Sequence, residues 1–298
     1  MKLTARSAHR QALAFLRSRL LGAVTLPALI GAAWAWRAGA FASGAGGRAA
    51  WPSLLRLAIA LAGLAAVELL NLFGADHLRY ARQRQASQGW PRGGEPALQL
   101  PGNPVAPALP PAAIPRVLLA LAAAGLAALL YFALAVGPGV LAFLLPAAAV
   151  GALYVLSPFP YAFLGTALVP PLVAGGVAFV LAGRAPAACF LSALPVSLVS
   201  AGVILTYQVA YRGRRPALAR ALPVLLCYVL ADIGVAALLL ARVYPRSGFF
   251  ALLPAVLFPG WAARLLLSEA RDPVPATAVG VYLHSSLCLT IAAGLFWA

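Results

Sequence analysis

The chain has 298 residues, of which 63% are apolar and 9% are charged, and its net charge is +16. A composition this apolar over nearly the whole length excludes a water-soluble globular domain and makes the lipid bilayer the main solvent. The positive charge does not indicate nucleic-acid binding, because the arginines cluster beside the apolar stretches, where basic residues set the orientation of membrane proteins.

Apolar runs of roughly 17 to 25 residues, the length that crosses a bilayer as a helix, recur along the chain. We therefore predict an all-α, polytopic membrane protein with about nine transmembrane helices. The predicted spans are residues 20–36, 54–73, 117–136, 140–156, 163–181, 187–207, 222–241, 249–267 and 276–297.

The distribution of basic residues predicts the orientation of these spans. Residues 1–19 form a basic N-terminal segment, and residues 20–298 form a single transmembrane domain. Sixteen of the 22 lysines and arginines lie in that segment and in the connections after even-numbered spans, when Arg264, which is within about a turn of its span end, is counted with the adjoining connection. Because basic residues favour the cytoplasmic side, we expect the N-terminus in the cytoplasm and the protein in a bacterial inner membrane.

Polar residues concentrate first in the connection after the second span, residues 75–116. It begins with polar and charged residues and ends in the proline-rich connector of residues 101–115. Proline-rich segments of this kind are extended tethers. We therefore predict a cytoplasmic loop here that borders a site.

Carboxylates lie near the start of this connection. If the second helix persists beyond its apolar run, Glu68, Leu72 and Asp76 share one face, with Asn71 and Arg79 close by. A charge inside a span is costly and usually faces a polar interior, so Glu68 is a candidate functional residue. The alternatives are that Glu68 pairs with an arginine at the membrane surface, and that Asp76 caps a helix end.

A second polar segment, the basic cytoplasmic loop of residues 211–220, follows the sixth span. Arg212, Arg214 and Arg215 cluster there. Guanidinium groups match the oxygens of a phosphate or diphosphate. Orientation alone would also place arginines on the cytoplasmic side, so both interpretations stay open.

Two further ionisable residues lie within predicted spans. Asp232 is in the middle of the seventh span, where it either lines a site or, as we favour, locks two helices together. His284 is in the ninth span, and we interpret it as a packing or interfacial histidine whose hydrogen bonds are satisfied.

Three strings in this order and spacing resemble the UbiA superfamily of intramembrane prenyltransferases, and within it the branch that prenylates 1,4-dihydroxy-2-naphthoate. The first is LPALIGAAWAWRAGAFA, followed by AVELLNLFGAD, which resembles the family's first aspartate-rich segment. The second is LYVLSPFPYAFLGTALVPPLVAGGVAFVLAG, and the third, ALPVSLVSAGVILTYQVAYRGRR, stands in place of the second aspartate-rich segment.

The resemblance implies a bundle of nine helices around a central cavity, in which Mg²⁺ bridges a prenyl diphosphate to aspartates and a lipid-soluble acceptor is alkylated. This chain departs from the family pattern at the aspartates themselves. In the first segment Glu68 matches the asparagine, while Leu72 and Ala75 stand at the aspartate positions. In the second, Tyr211 and Arg215 replace the aspartates.

The function implied is that of a UbiA-like prenyltransferase or a related isoprenoid-diphosphate-processing enzyme. Its partners would be a prenyl diphosphate, a hydrophobic acceptor of the quinone-precursor type and membrane lipids, without nucleic acid. The alternative is a noncatalytic homologue that binds or carries an isoprenoid or quinone lipid. The implied catalytic residues are Glu68, Asp76, Tyr207 and Tyr211; those for diphosphate are Asn71, Arg79, Gln208, Arg212, Arg214 and Arg215; those for Mg²⁺ are Glu68 and Asp76.

Overall fold

The computed structural model describes residues 22–42, 50–89, 114–156, 162–211, 217–267 and 274–298. Within those ranges it does not describe the side chains of residues 22, 23, 50, 72, 73, 75–89, 114, 148, 151–156, 162–165, 207–211, 217–220, 274 and 275. All regular elements in the described ranges are helices.

Ten α-helices and two 3-10 helices follow one another in these ranges. The 3-10 helices are Pro138–Val140 and Arg246–Ala251. The α-helices are α1 (Gly22–Thr25), α2 (Pro27–Arg37), α3 (Ala50–Gly89), α4 (Ile114–Ala135), α5 (Leu141–Leu156), α6 (Ala162–Ala182), α7 (Ala187–Tyr211), α8 (Ala217–Leu240), α9 (Leu252–Leu267) and α10 (Val274–Phe296).

The prediction of a helical membrane protein is confirmed. In the described part of the chain, six helical segments are long and apolar enough to cross a membrane, and two apolar helical segments, Pro138–Ala147 and Thr166–Ala182, are shorter. Each predicted span overlaps one of the helices, but the count of nine crossings stays a prediction. The six segments are Trp51–Asn71, Pro115–Ala135, Ala187–Thr206, Ala221–Leu240, Arg246–Leu267 and Ala276–Phe296.

Helix α3 extends much further than its apolar run. Its membrane-spanning part ends at Asn71, yet the helix continues to Gly89, through residues that we assigned to a loop. The physical reason is local: alanine, arginine, glutamine and leucine favour the helix, and the next proline is Pro91. The connection at residues 75–116 therefore begins as a helix of about four turns.

Helices α7 and α10 lie at the centre of the bundle, and α4 lies at its edge. Buried residues make up 61% of the most apolar window of α10 but only 6% of that of α4. Helix α2 approaches α6 so closely that a methyl group on Gly31 would overlap the carbonyl oxygen of Ala174. Small residues of this kind allow membrane helices to pack backbone against backbone.

Hydrogen bonds tie several helix ends together at one end of the bundle, here named the Ser192 end. Trp34 donates its indole N–H to Oγ of Ser192 at 3.1 Å, and Tyr244 donates its hydroxyl to the Ser192 carbonyl at 2.7 Å. Ser247 donates to the carbonyl of Gly294 at 2.8 Å. The C-terminal ends of α2, α8 and α10 therefore meet the start of α7.

Candidate functional site

Glu68 is buried inside the membrane-spanning part of α3. Only 4% of its surface is exposed, and Oε1 accepts a hydrogen bond from the backbone N–H of Val24 at 3.4 Å. Burying this carboxylate costs free energy, because an apolar environment disfavours its charged form. The structure therefore places Glu68 inside the bundle and not at a water-exposed surface.

Val24, which donates its backbone N–H to Glu68, belongs to a helix that is interrupted two residues later. α1 ends at Thr25, Leu26 follows as a turn, and Pro27 begins α2. Proline has no amide hydrogen and is favoured in the first turn of a helix, so the sequence itself starts a new helix here. Val24 belongs to the short helix before this break, and its backbone N–H donates to the Glu68 carboxylate.

Other residues of the first predicted segment follow Glu68 along α3. Asn71 is one turn further on and half-buried. Asp76 and Arg79 lie two and three turns further on in the same unbroken helix, and their side chains lie outside the described part. The backbone of α3 therefore stays helical beyond Leu72, as the predicted common face of Glu68 and Asp76 requires.

Residues of the second predicted segment lie at the C-terminal end of α7. Its last turns contain Tyr207, Gln208 and Tyr211, whose side chains lie outside the described part of the structure. The three arginines Arg212, Arg214 and Arg215 lie outside the described residues altogether.

Helices α3 and α7 end on the same side of the bundle. Ser53, at the start of α3, donates a hydrogen bond to the Ala40 carbonyl at 2.6 Å. Ala40 lies close to Trp34, whose indole N–H bonds Ser192 at the start of α7. Both helices therefore begin at the Ser192 end. Their C-terminal ends, which carry the two predicted segments, lie at the opposite end, here named the Glu68 end.

The spacing along α3 limits how a metal ion could be held. Glu68 and Asp76 are eight residues apart, which is about 12 Å along a helix axis. Mg²⁺ binds oxygen ligands at about 2.1 Å and often takes only one or two carboxylates when phosphates and water complete its shell. The donor types therefore fit Mg²⁺ only with a diphosphate lying between the two carboxylates. Among the described side chains there is no group of three His, Cys, Asp or Glu placed to hold a metal ion.

An apolar groove of about 330 Å³ lies between α3 and α4. Its α3 wall consists of Ile59, Ala62 and Gly63. Helix geometry places these residues on the side of α3 opposite to Glu68. The groove therefore does not extend the Glu68 site.

Three residues outside the predicted site carry buried polar atoms that find no hydrogen-bond partner among the described residues. They are Oη of Tyr228, Oδ1 of Asp232 and Nε2 of His284. Our interpretation of His284 as fully satisfied is therefore wrong, because the side chains around α10 that are described offer Nε2 no partner. The sequence did signal Asp232 and His284, as ionisable residues in apolar runs, but it carried no signal for Tyr228.

The fold defines the class of this protein as a helical integral membrane protein. Comparisons of the chain with protein-family models, with curated proteins and with solved structures find no match.

Proposed function

We propose that this protein is an integral membrane enzyme that processes isoprenoid diphosphates by transferring a prenyl group to a lipid-soluble aromatic acceptor. The observation that carries the proposal is the Glu68 carboxylate, buried in a membrane-spanning helix and bonded to the N–H of Val24. An ionisable residue that faces the interior of a membrane bundle marks a functional site by default. The chemistry comes from the resemblance of the sequence to the UbiA superfamily.

Nine crossings around a central cavity, with the N-terminus in the cytoplasm, are part of this proposal. The contacts at the Ser192 end support an odd number of crossings. If successive spans cross the membrane in alternating directions, the C-terminal ends of α2, α8 and α10 lie on the same side as the N-terminal ends of α3 and α7. The hydrogen bonds of the Ser192 end join these termini. The placement of the arginines supports the cytoplasmic N-terminus, and location in a bacterial inner membrane is part of the same proposal.

In the proposed reaction the diphosphate lies at the Glu68 end. Glu68 and Asp76 would hold Mg²⁺ across the diphosphate, where the ion, when bound, neutralises phosphate charge. Arg212, Arg214 and Arg215 would bind the remaining oxygens and stabilise the departing group electrostatically.

Breaking the bond between the prenyl carbon and the diphosphate oxygen leaves an allylic cation. The rings of Tyr207 and Tyr211 would stabilise this cation through their faces. The aromatic carbon of the acceptor then forms the new carbon–carbon bond and gives up its hydrogen as a proton to the departing diphosphate. Asn71, Arg79 and Gln208 would orient the diphosphate by further hydrogen bonds.

A second candidate function keeps the fold and drops the reaction: a noncatalytic protein that binds or carries an isoprenoid or quinone lipid. The 12 Å of helix axis between Glu68 and Asp76 favours it, because backbone positions that far apart disfavour direct binding of one ion by both residues. Leu72 and Ala75, which stand between them at the positions of the family's aspartates, point the same way.

The experiment that tests the proposal measures binding of geranylgeranyl diphosphate to purified protein in detergent by calorimetry, with and without Mg²⁺. We expect Mg²⁺-dependent binding to wild type, and loss of it in Glu68→Gln, which keeps an acceptor for Val24 but removes the charge. The matched control is Ser197→Ala, whose hydroxyl donates to the Ala193 carbonyl within α7. It should bind as wild type does.

The other results separate the remaining interpretations. Binding that ignores Mg²⁺ and survives Glu68→Gln, but is lost in Arg215→Ala, would assign diphosphate binding to the arginines alone. Binding of a neutral naphthoquinone, without any binding of the diphosphate, would reject the enzyme and support the lipid-binding protein.

A further inference from the structure

Helix α8 carries a carboxyl group that has no partner among the described residues. Asp232 lies in the membrane-spanning segment Ala221–Leu240 and is the only charged residue of that segment. Its Oδ1 atom is buried without a hydrogen-bond partner, and no ion pair joins Asp232 to another residue in the described part of the chain. Asp232 has no part in the proposed prenyl transfer.

Asp232 lies at the edge between the buried and the exposed faces of α8. Of the residues one turn away along the helix, Tyr228 and Val235 are buried, whereas Val229 is 47% exposed. Asp232 itself is half-buried. Its side chain can therefore be reached from outside the bundle, next to the exposed face of α8.

This exposed face is apolar. Its large side chains are each about half exposed, and they are Leu222, Leu226, Val229, Leu230 and Ile233. In a membrane protein such a face lies against lipid chains or against another membrane helix. Lipid chains offer no hydrogen bond and no charge to a carboxyl group, so a helix that carries a polar side chain fits Asp232 better.

The depth of Asp232 excludes the lipid headgroups as its partner. Along the axis of α8 it is about 12 Å from Leu240 and about 16 Å from Ala221, near the middle of the segment. The headgroups lie outside a hydrocarbon core of about 30 Å. The group that pairs with Asp232 must therefore be at the middle of the membrane.

A second copy of the chain does not supply such a group from its described part. Within the six membrane-spanning segments, every arginine lies within about two turns of a segment end. They are Arg56, Arg116, Arg246 and Arg264. His284 lies deeper in its segment, but it is only 4% exposed and so cannot reach another copy.

We propose that a transmembrane helix of another protein packs on the exposed face of α8 and pairs a lysine or arginine at its own middle with Asp232. Each of the two charges is costly alone in the bilayer, and such residues in membrane spans characteristically pair with one another. The pairing also makes the surface selective, because a helix without the cation leaves the carboxyl group unpaired.

The test uses a synthetic leucine helix of about 21 residues, the length of one span, with arginine at its middle and a dansyl group at one end. Binding to the purified protein in lipid nanodiscs is measured by energy transfer from the six tryptophans of the protein to the dansyl group. Two matched peptides carry leucine at the middle, or arginine one turn from an end.

Wild type should bind the peptide with central arginine about tenfold more tightly than either matched peptide, as expected of one polar contact between membrane helices. Asp232→Leu removes the carboxyl group and should bind all three peptides alike. The control variant is Glu68→Gln, which removes the other carboxylate of the six membrane-spanning segments and should keep the preference.

Three results would each overturn the proposal. The first is equal binding of the three peptides by wild type, which does not depend on whether a variant folds. The second is a preference for central arginine that survives in Asp232→Leu. The third is self-association of the wild-type protein that weakens in Asp232→Leu, which would assign the face to a second copy.

Discussion

The hydroxyl group of Tyr228 on α8 lies directly against Gly280 of α10, and Val203 of α7 borders the same point. A methyl group on Gly280 would overlap that hydroxyl oxygen and would also come within 2.8 Å of Cγ2 of Val203. Gly280 is therefore required by its neighbours, because Tyr228 fills the space that any side chain at position 280 would need.

Gly280→Ala should destabilise the protein by about 1–3 kcal/mol, the usual cost of overpacking a dense core. Tyr228→Phe removes the atom that overlaps most, so adding it to Gly280→Ala should restore part of the loss. The measurement is the thermal unfolding of the four proteins of this double-mutant cycle in detergent. If the losses simply add, Tyr228 is not what constrains position 280.

The bond from Trp34 to Ser192 joins α2 to α7 and can be tested against a neighbouring serine. Ser192 and Ser197 are both buried and both donate to the carbonyl four residues earlier, but Ser192 also accepts the indole N–H of Trp34. Ser192→Ala should therefore cost about 1–3 kcal/mol more than Ser197→Ala, because it leaves the indole N–H without its acceptor. Equal melting temperatures for the two variants would show that the bond contributes nothing.

Tyr244 gives a prediction with a pH dependence. Tyr244→Phe loses the bond to the Ser192 carbonyl and should lower the free energy of unfolding by about 1 kcal/mol at neutral pH. Burial raises the pKa of the Tyr244 phenol, so the folded protein keeps this proton at a pH where the unfolded chain has lost it. The contribution is complete below the unfolded pKa of about 10 and is lost as the pH rises above it.

The difference in stability between wild type and Tyr244→Phe should therefore shrink as the pH is raised beyond about 10. Denaturant unfolding of both proteins across this pH range measures it. Other tyrosines are the same in both proteins and cancel. A difference that stays constant would mean that Tyr244 ionises as readily in the folded protein as in the unfolded chain.

The sequence predicts the helices well because crossing a bilayer requires long apolar runs, and every such run overlaps a helix in the structure. It places the end of α3 poorly. The apolar run ends near Asn71, but the helix-forming residues after it continue to Gly89. Apolar length therefore determines where a membrane helix crosses, and local propensity determines where it stops.

The burial of Glu68 was predictable from the sequence, because a carboxylate inside an apolar run usually faces the interior of a membrane bundle. The hydrogen bond from the Val24 amide was not predictable, because it joins residues 44 positions apart in the sequence. The same limit explains the error at His284. Whether a buried nitrogen finds a partner depends on residues that are distant in sequence, and no local pattern records their positions.

The proposed orientation can be tested by labelling cysteines introduced into a variant without Cys189, Cys227 and Cys288. Arg184, in the connection between α6 and α7, and Ala298, after α10, are both exposed. With nine crossings and a cytoplasmic N-terminus, both positions lie outside the cell. Arg184→Cys and Ala298→Cys should then react with a membrane-impermeant maleimide in intact spheroplasts.

The two labels together separate orientation from crossing number. If both cysteines react only after the membrane is permeabilised, the orientation is reversed but the four crossings of α7 to α10 are retained. If one reacts from outside and the other only from inside, α7 to α10 do not cross as four successive spans, and the nine-span arrangement fails. A cysteine at Ser192, which is fully buried, serves as the control that should not react in either condition.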